Sequence, residues 1–405
     1  MGGATDFTGR GAEIVLVPGR RKDGFGVRQK GGNRTLLSER DADLLRMAFW
    51  CQYLSPDNAQ NLSSEEEIAE LVRLGLLKVH RNSGAFVITK VGISILRDML
   101  DGKLPEISQP YHTSAIERRL RFSRLALTAY KAGLNIFIAD ANELQDENTL
   151  FFTAFDRGRG QNPWGGTRVA AIAHVGDAVY AIHYIFPRIG DLTLIDEIAA
   201  FNNNTAHLAC TRRAFLFVGD SYGSILDELR RESDPKKTSK SIPYKTAYTS
   251  INRPVYLLSC DEVGARQLKI MSIPRYRMKL TKAALAGHYR SPPDDVPEWD
   301  AMYKNSPLIT AADMNLRRVE AGIKQARESG YKSVALLSLQ EQGALLSSLY
   351  GEDRFVGVYY LTDSALCHFA GGTMELYRPK PTQYLTEKGG VIDTPLIQSY
   401  RKAGR

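Results

Sequence analysis

From Ser38 onward, apolar residues recur at helical spacing: Leu44, Leu45, Met47, Ala48 and Cys51 fall on one face, with Ser38 placed to cap the first turn. Ser55-Pro56-Asp57 starts a short second helix, because Pro suits the first helical position. A third helix begins at Ser63 or Ser64, where Glu66 or Glu67 completes a capping box. Its stripe is Ile68, Leu71, Val72 and Leu74, and Gly75 supplies the stop. The pattern then changes. Residues 76–80 and 85–89 are strand-like and flank the turn Arg81-Asn82-Ser83-Gly84, which predicts a hairpin. Thr89-Lys90-Val91-Gly92 then leads into a last helix carrying Ile93, Ile95 and Leu96. Three helices, a hairpin wing and a helix predict a winged-helix domain over residues 36–103.

Residues 100–113, with Asp101-Gly102, Pro105 and Pro110, read as a linker. The stretch 114–132 is helical, with Arg118, Arg119, Arg121 and Arg124 among Leu120, Leu125 and Leu127. It is either a solvated charged face or a phosphate-contacting helix. Beyond it, residues 135–139, 150–155, 169–174 and 179–186 are strand-like, with a tight turn at Gly176-Asp177. Residues 214–218 and 255–259 are buried strands, each followed by a helix, to 231 and over 263–271. Residues 311–328 read as a helix, and 333–337 and 355–361 as late strands. The predicted class is α/β (α+β), organised as a basic arm over 1–35, the winged helix over 36–103, a linker and Arg-rich helix over 104–132, and a mixed α/β domain over 133–405.

Charge adds a partner. The 405 residues carry 53 Lys and Arg against 45 Asp and Glu, a net charge of +8, which favours a polyanion through counterion release. In the arm, Arg20, Arg21 and Lys22 are candidates for phosphate contact, while residues 14–17 suit a short strand and the remainder a flexible segment. On the wing the candidates are Lys78, His80, Arg81 and Lys90, and on the Arg-rich helix Arg118 and Arg119. Two later stretches contain no acid. Residues 235–253 carry Lys236, Lys237, Lys240, Lys245 and Arg253 in a loop, and residues 263–292 carry seven cations, among them Arg275, Arg277 and Lys279. Tyr244, Tyr248, Tyr276 and Tyr289 are interspersed, as stacking on bases requires. Double-stranded DNA is therefore the expected partner, alongside a homodimer or other protein contact. One feature opposes simple groove reading: the third helix begins Glu65-Glu66-Glu67, which phosphates repel but the helix dipole favours. An adaptor that binds protein through this helix is the rival.

Catalytic chemistry has three candidate residues. Ser221 sits in Gly219-Asp220-Ser221-Tyr222-Gly223 between strand and helix, the context of a nucleophile elbow, but no His-Gly oxyanion motif precedes it, and downstream stand only His288 and His368. Asp140 and Asp156 fall at the ends of two expected strands, where a nuclease holds Mg²⁺. The acid-x-Lys pair that such a site needs is missing from Ala154-Phe155-Asp156-Arg157-Gly158-Arg159. No Gly-x-x-x-x-Gly-Lys phosphate loop occurs, and no cofactor is expected, Mg²⁺ entering only with the nuclease alternative. The four cysteines are far apart, no apolar run reaches about 18 residues and no signal peptide opens the chain, so a cytoplasmic protein without a membrane partner is expected.

Leu74-Gly75-Leu76-Leu77, Thr89-Lys90-Val91-Gly92, the helix 117–130 and the segments carrying Asp140 and Asp156 together resemble the replication-relaxation group of bacterial plasmids and integrative elements. The likeness covers residues 36 to about 270. It implies a winged helix, an Arg-rich helix and a restriction-endonuclease-like α/β domain, in an accessory for replication, transfer or transcriptional regulation of a mobile element. The missing acid-x-Lys implies a scaffold, dimer partner or inactive nuclease in that domain.

Overall fold

The computed structural model describes residues 25–28, 34–100, 104–106, 109–110, 112–155, 169–185, 188–210, 212–231, 241–351, 354–370 and 397–399. The chain divides into two compact units, Met1–Leu127 and Thr128–Arg405. Its class is mixed α/β.

In the first unit, β1 (Phe25–Arg28) and β2 (Arg34–Leu37) pair antiparallel, which corrects the reading of residues 25–28 and 34–35 as part of a flexible segment. Arg20, Arg21, Lys22 and the apolar run 14–17 lie outside the described residues. Helix α1 (Glu39–Cys51) starts in a capping box between Ser38 and Asp41. Helix α2 (Pro56–Gln60) starts at Ser55, with Pro at its first position. Helix α3 (Glu65–Arg73) ends at Gly75, whose φ of 72° is open to glycine at little cost. There the Leu76 N–H reaches the Leu71 carbonyl at 2.9 Å and the Gly75 N–H reaches that of Val72 at 3.0 Å, so the helix closes in a Schellman motif.

The hairpin follows as β3 (Leu77–Val79) and β4 (Phe86–Ile88), in antiparallel register, with Leu54 bridging Phe86 as a third short rung. Helix α4 (Lys90–Met99) shows why its entry reads Thr-x-x-Gly. The Thr89 hydroxyl accepts from the Gly92 N–H at 3.1 Å and donates to the Gly75 carbonyl at 2.6 Å. A Cβ on Gly92 would stand 2.4 Å from the Leu76 carbonyl oxygen, so only glycine lets α4 lie against the chain entering β3. Helix α5 (Thr113–Lys131) contributes Ile116 and Leu120 to a cluster with Tyr53, Ala85 and Val87, and Ser123 takes the buried Asn58 amide at 2.8 Å.

The second unit holds two five-stranded sheets. The first begins with β5 (Thr149–Phe152), β6 (Val169–Val175) and β7 (Ala178–Tyr184), an antiparallel meander whose every position is buried. Gly176, at φ 57°, turns β6 into β7. After β8 (Arg188–Gly190) and helix α6 (Asp191–Asn204), β9 (Arg212–Gly219) returns parallel to β7. Helix α7 (Tyr222–Arg230), strand β10 (Ser241–Pro243), paired with β8, and helix α8 (Tyr244–Ser250) lead to β11 (Val255–Ser259), parallel to β9. Helix α8 corrects the expected loop, and its Tyr244 and Ala247 are fully buried.

Helices α9 (Glu262–Met271) and α10 (Tyr276–Leu285) precede the second sheet. There β12 (Ala301–Tyr303) and β13 (Ser306–Thr310) form a hairpin. Helix α11 (Leu316–Glu328), strand β14 (Val334–Ser338), helix α12 (Gln340–Tyr350) and strand β15 (Val356–Leu361) alternate in parallel. Helix α13 (Asp363–Phe369) and β16 (Ile397–Ser399), antiparallel to β15, complete it. Residues 311–315, expected to be helical, instead form a turn with Met314 at φ 54°, and their carbonyls serve other elements. Met314 accepts from the Leu257 N–H at 3.2 Å, Asp313 from the Gln267 amide at 2.8 Å, and Ala312 from the Gln342 amide at 3.1 Å. This buried relay, extended by Tyr222 between the two glutamines, ties the first sheet's open edge to the second sheet.

Candidate functional site

Two of the three catalytic candidates, Asp140 and Ser221, cap helical turns. Residues 135–139 form no strand beyond a bridge from Asn135 to Thr149. The Ala139 and Asp140 N–H groups both donate to Glu143 Oε1 at 3.0 Å, and Asp140 caps the 3₁₀ turn Ala141–Gln145 by accepting from the Asn142 N–H at 2.9 Å. Asp156 lies outside the described residues. Ser221 is exposed and caps α7: its Oγ accepts from the Ser224 N–H at 3.2 Å, while the Ser224 hydroxyl returns to the Ser221 carbonyl. Gly219 is tight for a helix-packing reason, because a Cβ there would meet Ile225 at 2.6 Å. Ser221 has no histidine partner among the described residues, and no cluster of three His, Cys, Asp or Glu that suits a metal occurs among them.

The basic candidates separate by what holds them. On the first unit, the Arg119 guanidinium donates to Gln52 Oε1 at 2.6 Å and lies 5.6 Å from the Phe122 ring, and Arg118, Arg121 and Arg124 each engage the protein as well. Arg119 also bears on Cys51, whose thiol burial pushes up to about 12 against that opposing charge. By contrast Lys78, Arg81 and Lys90 are exposed and make no hydrogen bond or ion pair with a described residue. His80 is half-buried, its Nδ1 2.9 Å from the Ser83 hydroxyl and its ring edge-on to Tyr53. The three glutamates of α3 serve its start. Glu67 closes a box with Ser64, accepting its N–H at 2.8 Å, and Glu65 accepts from the Gln60 amide at 2.9 Å. The Glu66 carboxyl is held below its usual range by its own backbone N–H and then by the Ser64 hydroxyl.

On the second unit, the acid-free stretch converges on a pocket of about 270 Å³ lined by Asp177, Arg212, Arg275, Tyr276, Arg277, Met278, Pro297 and Asp300. The β6–β7 turn supplies Asp177, the first residue of β9 supplies Arg212, and the two are joined at 2.7 Å. Arg275 precedes α10 in a left-handed conformation, φ 57°, and Arg277 lies in the helix's first turn. Below them is an ionic core. The Asp313 carboxylate, fully buried, accepts from the Tyr276 hydroxyl at 2.6 Å and from the Asn315 N–H at 3.1 Å, with Arg318 4.0 Å away. Asp300 takes Arg318 at 2.9 Å and the Thr310 N–H at 2.7 Å. Burial works against the Arg277 charge, but Tyr276, Asp300 and Asp313 outweigh it and raise its pKa. Neither Arg275 nor Arg277 donates to a described protein group. Lys279 is exposed one turn on from Arg275.

The interspersed tyrosines are mostly not stacking platforms. Tyr244 and Tyr276 are buried core residues, and Tyr248 packs on Phe217 and under Arg317. Tyr289 remains partly exposed, with Lys282 over its ring at 5.2 Å. Convergence of Arg275 and Arg277 on one pocket with Arg212 and Asp177 is the feature that sequence reading missed, since residues 177 and 212 carry no local signal for it.

Comparison of the chain with protein-family models, with curated proteins and with solved structures finds no match. Among the described residues no helix is long and apolar enough to cross a membrane.

Proposed function

We propose that the chain is a DNA-binding accessory or regulatory protein whose first unit is a winged helix that holds duplex DNA through its hairpin. The observation that carries this reading is the separation of cations in that unit: Lys78, Arg81 and Lys90 are exposed without a side-chain partner among the described residues, whereas the arginines of α5 are engaged. Lys78 and Arg81 belong to the hairpin, and Lys90, expected on the wing, is the first residue of α4 beside it; exposed guanidinium and ammonium groups so placed are what phosphate contact uses. The glutamates at the start of α3 favour backbone contact by the hairpin over base reading by that helix, because they cap the helix and repel phosphate. In the second unit a restriction-endonuclease-like scaffold without catalysis fits the meander, helix and parallel strand formed by β5 to β9, with Asp140 used as a cap. The resemblance to replication-relaxation proteins adds replication, transfer or transcription of a mobile element as the setting.

Retention of the full chain on duplex DNA across a salt series tests the reading. Each phosphate contact removed should flatten the slope of log K against log salt by about 1. Arg81→Ala and Lys90→Ala should each do so and weaken binding to unrelated sequences alike. Unchanged slopes in the double variant would remove the hairpin from the interface.

A further inference from the structure

The pocket beside α10 has a chemistry that duplex binding by the hairpin does not use. Two guanidinium groups, those of Arg275 and Arg277, line one concavity and donate to no described protein acceptor. Arg212 lines the same concavity, its charge shared with Asp177. Asp300, in the same lining, acts on the Arg277 charge across space but makes no hydrogen bond or ion pair with either guanidinium, its Oδ2 accepting instead from Arg318 and from the Thr310 N–H. Asp313 is likewise committed to Tyr276, Asn315 and the nearby Arg318. The planar guanidinium fork is matched by a planar or tetrahedral oxyanion, which it meets with two parallel N–H bonds.

Two forks lining one concavity select among oxyanions. A carboxylate has two oxygens and fills one fork. An internal phosphodiester offers two free oxygens and one negative charge, and its chain must leave the pocket on both sides. A phosphomonoester offers three free oxygens and up to two charges, and its chain leaves on one side only. The cavity, at about 270 Å³, is just under the roughly 300–1,000 Å³ of ordinary small-ligand sites, so it suits a phosphate with its adjoining sugar rather than a duplex. Met278 and Pro297, both exposed at the rim, give the organic part an apolar surface.

We infer that the Arg275–Arg277 pocket binds a phosphomonoester, the group carried by a 5′-phosphorylated end of a nucleic-acid strand and by a free nucleoside monophosphate. The site belongs to the second unit and does not depend on the hairpin.

Titration calorimetry on the full chain tests it with four probes: a short single-stranded oligonucleotide with a 5′-phosphate, the same strand with a 5′-hydroxyl, adenosine monophosphate and inorganic phosphate. The phosphorylated strand should bind at least about tenfold more tightly than the hydroxyl strand, the scale of a charge-assisted bidentate contact. Arg277→Met should abolish that preference. Arg275→Gln, at an exposed position where folding is not at risk, should reduce it several-fold, and circular dichroism melts of both variants establish that they fold. Competition by adenosine monophosphate as strong as by the strand assigns the site to a free nucleotide. Competition by the strand alone assigns it to a strand end. Equal binding of the phosphorylated and hydroxyl strands, with no binding of adenosine monophosphate or inorganic phosphate, would overturn the inference. So would a preference that persists in Arg275→Gln and Arg277→Met together. In Arg81→Ala with Lys90→Ala the preference should remain, so failure of the hairpin reading and failure of this one are separable.

Discussion

Arginine occurs on the hairpin of the first unit and around the pocket of the second in opposite circumstances. Arg81 is exposed without a side-chain partner among the described residues, and its removal costs the fold nothing that the structure records. Arg318 is nearly buried and tied to Asp300, Asp313 and the carbonyls of Glu298 and Thr310. Between these extremes lie Arg275 and Arg277, which sit over the ionic core but donate to none of it. The comparison teaches that a basic stretch says little about function until each cation's acceptors are known: the committed ones hold the fold, and the uncommitted ones are free for a partner.

The most severe way to break that distinction is to remove a buried acceptor. Asp313→Ala leaves the Tyr276 hydroxyl and the Arg318 charge facing a void, and deleting one member of a buried ionic group costs about 3–5 kcal/mol. Urea denaturation should show a loss of that size, and a loss below about 1 kcal/mol would mean that Asp313 is not what holds Tyr276 and Arg318 in place. The helix start of α3 carries the next effect. Ser64→Ala removes one half of the capping box and should cost about 1 kcal/mol while leaving duplex affinity unchanged. A clear fall in affinity at unchanged stability would instead make this helix a reader of DNA.

Legibility in the sequence follows how local the causes are. The three helices, the hairpin and the fourth helix of the first unit were readable because their determinants lie within a few residues: Ser38, Ser55 and Ser64 as caps, Gly75 as a stop, and Thr89 with Gly92 as a start. The meander β6–β7 and the strands β9 and β11 were readable as apolar runs with a Gly turn. The hairpin β12–β13 was not, because its turn is Lys304-Asn305, both at positive φ, and a lysine there does not announce a turn. Ala311-Ala312-Asp313-Met314 favours helix by local preference, yet tertiary acceptors for its carbonyls override it. The strand expected at 135–139 fails because Glu143, four residues beyond, takes the N–H groups that a neighbouring strand would have needed. The pocket combines Asp177, Arg212 and Arg275–Arg277 across about a hundred residues, so only the acid-free composition of the last stretch hinted at it.

At the exposed end of the comparison, Arg81→Ala should change stability by no more than about 0.5 kcal/mol in the urea assay that registers Asp313→Ala. A loss above 1 kcal/mol would show that Arg81 has structural work in the hairpin, and its effect on DNA retention would then need correction for unfolding.

The smallest effect is a pH dependence at α3, and its sign discriminates between a carboxylate that serves the helix and one that merely decorates it. Glu66 has its folded pKa lowered from 4.5, first by its own backbone N–H and next by the Ser64 hydroxyl, with burial opposing weakly. A lowered folded value means that the ionised carboxylate is favoured in the native state. Its contribution is therefore complete above the ordinary glutamate range and is lost as pH falls through the lowered value. Glu66→Gln should accordingly lower the melting temperature at pH 7. That gap should persist to about pH 5, narrow below pH 4.5, and close in more acidic solution where both proteins are uncharged at this position. A gap that stays constant from pH 7 to pH 3, measured by thermal melts in matched ionic strength, would place the effect in side-chain shape rather than charge, and the acidic start of α3 would no longer be accounted for by capping.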